Sequence, residues 1–468
     1  MMKKNPLHTI VSPKSIAIFG ASNNSATMGT THLANVIHNG YKGKVWPIHP
    51  KEKSIFGLPA YSSVAELPEP ADLALLILRA SLVPEVLEEC GKKGIKHAII
   101  LSGGFMEAGK EGKEPQERLD SVARDYDIRY VGPNCIGVIN SSLSLNMTFY
   151  STKLFPGSMG FLSQSGTYVT QTTRYLTRRG IHYSSAISLG NEASIDLVDG
   201  IEYLGEDPET KAIALYIETI RRGRAFVEAA KRVSMKKPIV AYYVGGTEEG
   251  ARAGLSHTGA MGGNDILHEG VFRQCGIIRA PSIGFLFDWA WALANTPRPK
   301  GRRVAIISPS GGPVASMADV CSRNTIEVPL LSEKTRKTIT PFVPATATIA
   351  NPVDLTFSRD PYVSAFKIPA AIFRSGEVDA LLIHGVGDSI VTDRSGKESA
   401  TSEIQQGLVS LKNQTACPIL ASTFDDHTDV SVDYVMKNDI PVYPTPERAA
   451  RAMAAVMEYA DWVRSNKK

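Results

Sequence analysis

A chain of 468 residues is too long for one hydrophobic core and divides into two to four domains. Its 43% hydrophobic and 21% charged residues are those of an ordinary globular protein. The 51 basic and 47 acidic side chains leave a formal charge of +4, which carries no nucleic-acid or polybasic-membrane signal.

The start, Met1-Met2-Lys3-Lys4-Asn5-Pro6, lacks the apolar centre of a signal peptide, and no apolar run is long enough to cross a bilayer. A cytoplasmic protein with no membrane partner is expected. Cys90, Cys135, Cys275, Cys321 and Cys417 are scattered, with no C-x-x-C pair, so neither a disulfide framework nor a metal site is expected. From Ser15 onward, short β-branched runs alternate with helix-length amphipathic segments, the signature of α/β parallel sheets. Three such units separate, over residues 1–150, 151–298 and 299–468.

In the first unit, Ser15-Ile16-Ala17-Ile18-Phe19 reads as a strand running into Gly20-Ala21-Ser22 and on to Met28-Gly29, with a helix through Val36 and Ile37. A glycine-rich strand-to-helix turn aims backbone N–H groups at an anion, usually phosphate. The spacing meets the dinucleotide fingerprint G-x-G-x-x-G only in part. The next strand ends at Val45-Trp46-Pro47-Ile48, and Lys51 stands where a NAD site would place an acid. Lys51 suits a phosphorylated nucleotide, or it is a solvated lysine after a turn. Further strands end at Ile77-Leu78, at Ser102-Gly103-Gly104 and at Gly132-Pro133-Asn134, leaving room at the sheet edge for an extended ligand.

The second unit opens with Gly160-Phe161-Leu162, then Ser163-Gln164-Ser165-Gly166 and a helix to Arg179. Its second strand ends at Gly190-Asn191-Glu192, with a helix from about Asp196. Both helix starts are expected to bind phosphate through N–H groups that lack an intrahelical partner. The third strand, Ile213–Ile217, delivers Glu218, and the fourth, Ile239–Val244, leads to Gly254-Leu255-Ser256-His257-Thr258-Gly259. If the sheet is parallel, these features share one edge. His257 is then a candidate nucleophile, with a surface loop histidine as the plain alternative. Glu218 shares that edge, or else pairs with Arg221 or Arg222. The third unit, from Val304 to Ser308-Pro309-Ser310-Gly311-Gly312, repeats the strand–S-x-S-G–helix pattern, an internal duplication of fold.

The ordered series Gly20 to Gly29, Gly132-Pro133-Asn134, Ser163-Gln164-Ser165-Gly166, Gly190-Asn191, Glu218 and Ser256-His257-Thr258-Gly259 resembles the nucleoside-diphosphate-forming acyl-CoA synthetases, relatives of succinyl-CoA synthetase. Within them it is most similar to the α subunits of the ADP-forming acetyl-CoA type. The resemblance implies three Rossmann- or flavodoxin-like domains: one that binds CoA, then two succinyl-CoA-synthetase-like domains. It implies the reaction acyl-CoA + ADP + phosphate ⇌ acid + ATP + CoA, through an acyl phosphate and a phosphohistidine at His257 supported by Glu218. Gln164, Ser165, Gly166, Gly190 and Asn191 would bind phosphate. Gly20, Ala21, Ser22, Met28, Gly29, Pro47, Lys51, Ile77, Ser102, Gly103, Gly104 and Asn134 would bind CoA. Gly190-Asn191-Glu192 stands where succinyl-CoA synthetase has a G-G-D-like turn, which counts against succinate.

The resemblance implies that ADP, ATP and Mg²⁺ bind an ATP-grasp β subunit in an α2β2 assembly, and this sequence shows no Walker-type G-x-x-x-x-G-K-[ST]. Two readings from other classes compete: a NAD-dependent oxidoreductase, and a non-catalytic CoA-binding or sensing protein in which His257 is dispensable.

Overall fold

The computed structural model describes residues 5–250, 252, 264–356, 363–387 and 401–467. Its first sheet sets Lys44–Ile48, Ser15–Phe19, Leu73–Leu76, His97–Ile100 and Arg129–Val131 side by side, all parallel. Counted along the sequence that order is 2-1-3-4-5, the doubly wound arrangement. The second sheet repeats it with Tyr183–Ser188, Met159–Ser163, Ala212–Ile217, Ile239–Tyr243 and Ile277–Arg279. The third repeats it again with Val353–Asp354, Val304–Ser308, Ala380–His384, Ile419–Ser422 and Val442–Tyr443. The fold is thus α/β, built on mostly parallel sheets.

The strands Ser15–Phe19, Met159–Ser163 and Val304–Ser308 are buried along their whole length. A strand covered on both faces needs a continuous apolar run, and parallel neighbours need crossover helices to join them. Met28–His38, Gly166–Thr177 and Gly311–Arg323 supply the first crossover in each sheet. Strand order reverses between the first and third strands, so their carboxyl ends open a crevice where ligands lie in such sheets.

One stretch departs from the sequence reading. Val138–Asn140 and Leu145–Asn146 precede residue 150, yet they extend the second sheet, antiparallel to Tyr183–Ser188. They supply partners for an edge strand that would otherwise expose its backbone. The same stretch helps to merge two cores. Leu7, Ile16, Ile18 and Leu33 pack in one cluster with Val138, Met147, Leu162, Ile187 and Leu215. Met1–Thr177 and Ile181–Leu286 accordingly form one compact unit, and Phe287–Lys468 with Arg178–Gly180 forms another.

The second unit has its own core of Ile307, Leu381, Ile383, Leu408 and Val435. Asp288 is fully buried in this unit. Its carboxylate takes hydrogen bonds from Arg179 at 2.7 Å and Arg448 at 2.6 Å, and the Tyr443 hydroxyl donates to its carbonyl. Among the described residues no helix is long and apolar enough to cross a membrane.

Candidate active site

Most of the residues expected to hold CoA line the carboxyl edge of the first sheet. Gly20 has φ +88°, and a Cβ there would lie 2.1 Å from the Ile77 carbonyl oxygen. A Cβ on Gly29 would lie 2.2 Å from the Gly20 carbonyl oxygen, so only glycines let this turn close on itself. Ser22 N–H donates to Thr30 Oγ1 at 3.0 Å, and Ala21 is buried behind the turn. Met28, at the helix start, is exposed, as is Lys51. Pro47 is buried in the strand beside Ser15–Phe19. Ser102 accepts the Asn134 N–H through its carbonyl at 2.8 Å, beside the exposed Gly103 and Gly104. Glu52, which sequence reasoning passed over, accepts two hydrogen bonds from the Asn23 backbone N–H and side chain. That carboxylate braces the turn, where a NAD site would use one to hold a ribose.

This edge continues into the second sheet. Gly190 has φ +59°, and a Cβ on it would lie 2.3 Å from the Pro133 carbonyl oxygen, so glycine permits the two loops to touch. Asn191 N–H donates to Pro133 at 2.9 Å, and Asn134 Nδ2 donates to Asn191 Oδ1 at 3.3 Å. Asn191 Nδ2 donates in turn to Glu107, whose other oxygen takes the Gly104 and Phe105 N–H groups. Glu107 was invisible in the sequence because it joins residues 84 positions apart.

A small pocket sits at the strand-order reversal of the second sheet, lined by Gln164, Gly190, Asn191, Glu192, Glu218, Thr219 and Arg221. Gln164 follows Met159–Ser163 and Glu218 follows Ala212–Ile217, so parallel pairing of adjacent strands brings both to one edge. Gln164 Oε1 accepts the N–H groups of Glu218 at 2.6 Å and Thr219 at 3.0 Å. Its Nε2 donates to the Thr219 carbonyl at 2.8 Å and to Glu192 Oε2 at 2.9 Å. Both amide hydrogens are therefore in use. Gln164, expected to bind phosphate, ties the pocket's loops together through these four hydrogen bonds. Ser165 and Gly166 complete the turn, Ser165 N–H donating to Ser163 Oγ at 3.1 Å.

The second expected anion site lies at a helix start that carries a side-chain cap. The helix Leu197–Glu206 has its Val198 and Asp199 N–H groups taken by Asp196, with Asp199 closing a reciprocal capping box. A carboxylate already satisfies that helix start, so the neighbouring turn faces the pocket only through Gly190, Asn191 and Glu192. Arg222 pairs with Asp196 and Asp199, while Arg221 lies 3.7 Å from Glu192 Oε2. Glu218 is buried and hydrogen-bonds the Tyr216 phenol, whose pKa is raised by burial and by that carboxylate. Burial first, and the nearby Asp196 second, push the Glu192 carboxyl up to about 8.

His257, with Ser256, Thr258 and Gly259, lies outside the described residues. On either side of it, Gly246 and Asp265 meet closely, a Cβ on Gly246 falling 2.2 Å from Asp265 Oδ1. Arg279 donates to both Asp265 oxygens, reaching Oδ2 at 3.1 Å.

Residues 14–141 match the CoA binding domain family, and residues 156–293 match the succinyl-CoA ligase like flavodoxin domain. The α subunit of acetate–CoA ligase [ADP-forming] I from Pyrococcus furiosus is 35% identical over 98% of this chain and 99% of its own. The 4-hydroxybutyrate–CoA ligase [ADP-forming] of Nitrosopumilus maritimus is 33% identical over 98% of this chain and 65% of its own. Among solved structures, the dinucleotide-forming acetyl-coenzyme A synthetase 1 of Ca. Korarchaeum cryptofilum, in complex with phosphate and ADP, superimposes with a TM-score of 0.89 at 33% identity. It covers 99% of this chain and 100% of that one. With its glycine-turned edge running into a carboxylate-lined pocket and its end-to-end match to α subunits, the chain belongs to the ADP-forming acyl-CoA ligases.

Proposed function

We propose that this chain is the α subunit of an ADP-forming acetyl-CoA synthetase, carrying acyl-CoA on the first sheet and phosphate in the Gln164–Glu218 pocket. The observation that carries the reading is the Asn134–Asn191 contact, which joins the two sites edge to edge. A thioester whose CoA lies along Gly20, Ala21, Ser22, Met28, Gly29, Pro47, Lys51, Ile77, Ser102, Gly103, Gly104 and Asn134 would present its carbonyl toward the pocket. Ser165, Gly166, Gly190 and Asn191 would hold the phosphate, with Gln164 as the residue that positions them. Phosphate oxygen attacks the thioester carbonyl, the CoA thiolate leaves, and an acyl phosphate forms. A ring nitrogen of His257 then takes the phosphoryl group and releases the carboxylate. Glu218 would orient the imidazole and stabilise the charge it gains.

ADP and Mg²⁺ would bind an ATP-grasp β subunit, with α2β2 as the assembly. Acetate is the acyl group we favour, since the P. furiosus relative is named for it, although the N. maritimus relative takes another acid. Five free cysteines accord with a cytoplasmic, reducing setting.

The test is to incubate the chain with acetyl-CoA and labelled inorganic phosphate. Acid-labile, base-stable label should appear on His257, vanish in His257→Ala and fall sharply in Glu218→Gln with CoA binding intact. A series of acyl-CoA thioesters in the same assay ranks the acyl group. Labelled chain given ADP and Mg²⁺ should make ATP only with the β chain added. Label that persists in His257→Ala, or ATP made by the chain alone, would overturn the assignment.

A further inference from the structure

Glu192 is a pocket residue whose chemistry the proposed reaction leaves unused. Its side chain is 2% exposed, and Oε1 has no hydrogen-bond partner. A buried polar atom in that condition costs free energy until something meets it. The other oxygen is fixed in role. Gln164 cannot turn its amide over, because Glu218 and Thr219 N–H groups hold its oxygen and the Thr219 carbonyl holds its nitrogen. Glu192 Oε2 therefore accepts a hydrogen bond from Gln164, which leaves the unpartnered Oε1 as the favoured seat for a proton on this carboxyl.

We propose that Glu192 binds the phosphate as an un-ionised acid, donating a hydrogen bond from Oε1 to an oxygen of the anion. The inference rests on the phosphate reading of the pocket. An ionised Glu192 would set a third negative group beside Glu218 and the incoming anion. A neutral carboxyl removes that repulsion and satisfies Oε1 in one contact. The surroundings keep the proton in place. Burial and Asp196 raise the pKa to about 8, outweighing the opposing effects of Arg221, the Gln164 amide and the Leu197 N–H. Glu218 and Asn191 complete the groups that share the pocket with it. Arg221, 48% exposed, is screened by solvent on its outer side and does not reverse the balance.

The experiment measures binding of labelled inorganic phosphate to the full chain by equilibrium dialysis, from about pH 6.5 to about pH 9.5. The wild type should lose affinity by up to about ten-fold per pH unit once Glu192 ionises. Glu192→Gln is the isostere of the protonated acid, its oxygen accepting from Gln164 and its N–H₂ facing the pocket. It should bind within about two-fold of wild type at neutral pH and stay level in alkali. Glu192→Leu keeps the bulk without the donor and should bind at least about ten-fold more weakly at neutral pH. Phosphate's own ionisation is common to all three proteins and cancels in their ratios. A Glu192→Gln curve that falls with the wild type, or a Glu192→Leu protein that binds like it, would overturn the proposal while leaving the pocket reading intact. A wild type that binds no phosphate would overturn both.

Discussion

At the scale of single residues, the pocket depends on one amide and one carboxyl. The four hydrogen bonds of Gln164 tie together the loops after three neighbouring strands, so the amide sets the distance between Glu192 and Glu218. Glu192 is held within that frame at a cost. Its ordinary pKa of 4.5 becomes about 8 in the folded protein, so between those values the folded state keeps a proton that the unfolded chain releases. Stability from this group is therefore full below about 4.5 and is lost as pH rises through about 8. Glu192→Gln should raise the melting temperature at about pH 9 and leave it near wild type at about pH 4. Thermal unfolding followed by circular dichroism at both pH values checks this. An equal shift at both would mean that packing, not ionisation, governs the effect. Glu192 stood in plain view in Gly190-Asn191-Glu192, but a glutamate in a loop reads as solvated. Its surroundings depend on Gln164, which reaches it from 28 positions away in the sequence.

The elements differ in how well the sequence disclosed them. Ser15–Phe19, Met159–Ser163 and Val304–Ser308 were legible because doubly covered strands are unbroken apolar runs ended by glycine or serine. Glu218 was legible because it follows such a run directly. Val138–Asn140 and Leu145–Asn146 were not, since strands of three and two residues are too short to show a period. The helix Leu197–Glu206 was foreseen, but its start was taken for an open anion site. Asp196 and Asp199 close it, which the spacing D-x-x-D signals only once the cap position is known. Asp196→Ala should remove the cap and its Arg222 pairing, at a cost of about 1–2 kcal/mol in denaturant unfolding. It should also move the alkaline loss of phosphate binding to lower pH, because Asp196 helps to keep Glu192 protonated. An unmoved pH profile would show that Asp196 serves the helix alone. His257 is a different case, since its proposed role rests on the family resemblance.

Taken whole, the chain repeats one strand order three times yet makes two compact units, because the first two sheets share a core. In the other unit, the buried Asp288 carboxylate depends on Arg179 and Arg448. Arg179→Ala would leave Asp288 half compensated and should destabilise that unit by about 3–5 kcal/mol. Calorimetry should show this as a lower transition for residues 287–468, with labelled-phosphate binding retained. A single unchanged melting profile would contradict it. Arg178–Gly180 has a further implication, for how such a protein is inherited and rearranged. These three residues belong to one body, while the polypeptide on both sides of them builds the other. No single scission can release either body intact. Cutting after Leu286 strands Arg179 on the wrong fragment, and grafting residues 287–468 onto a relative succeeds only if its host loop brings an arginine to meet Asp288.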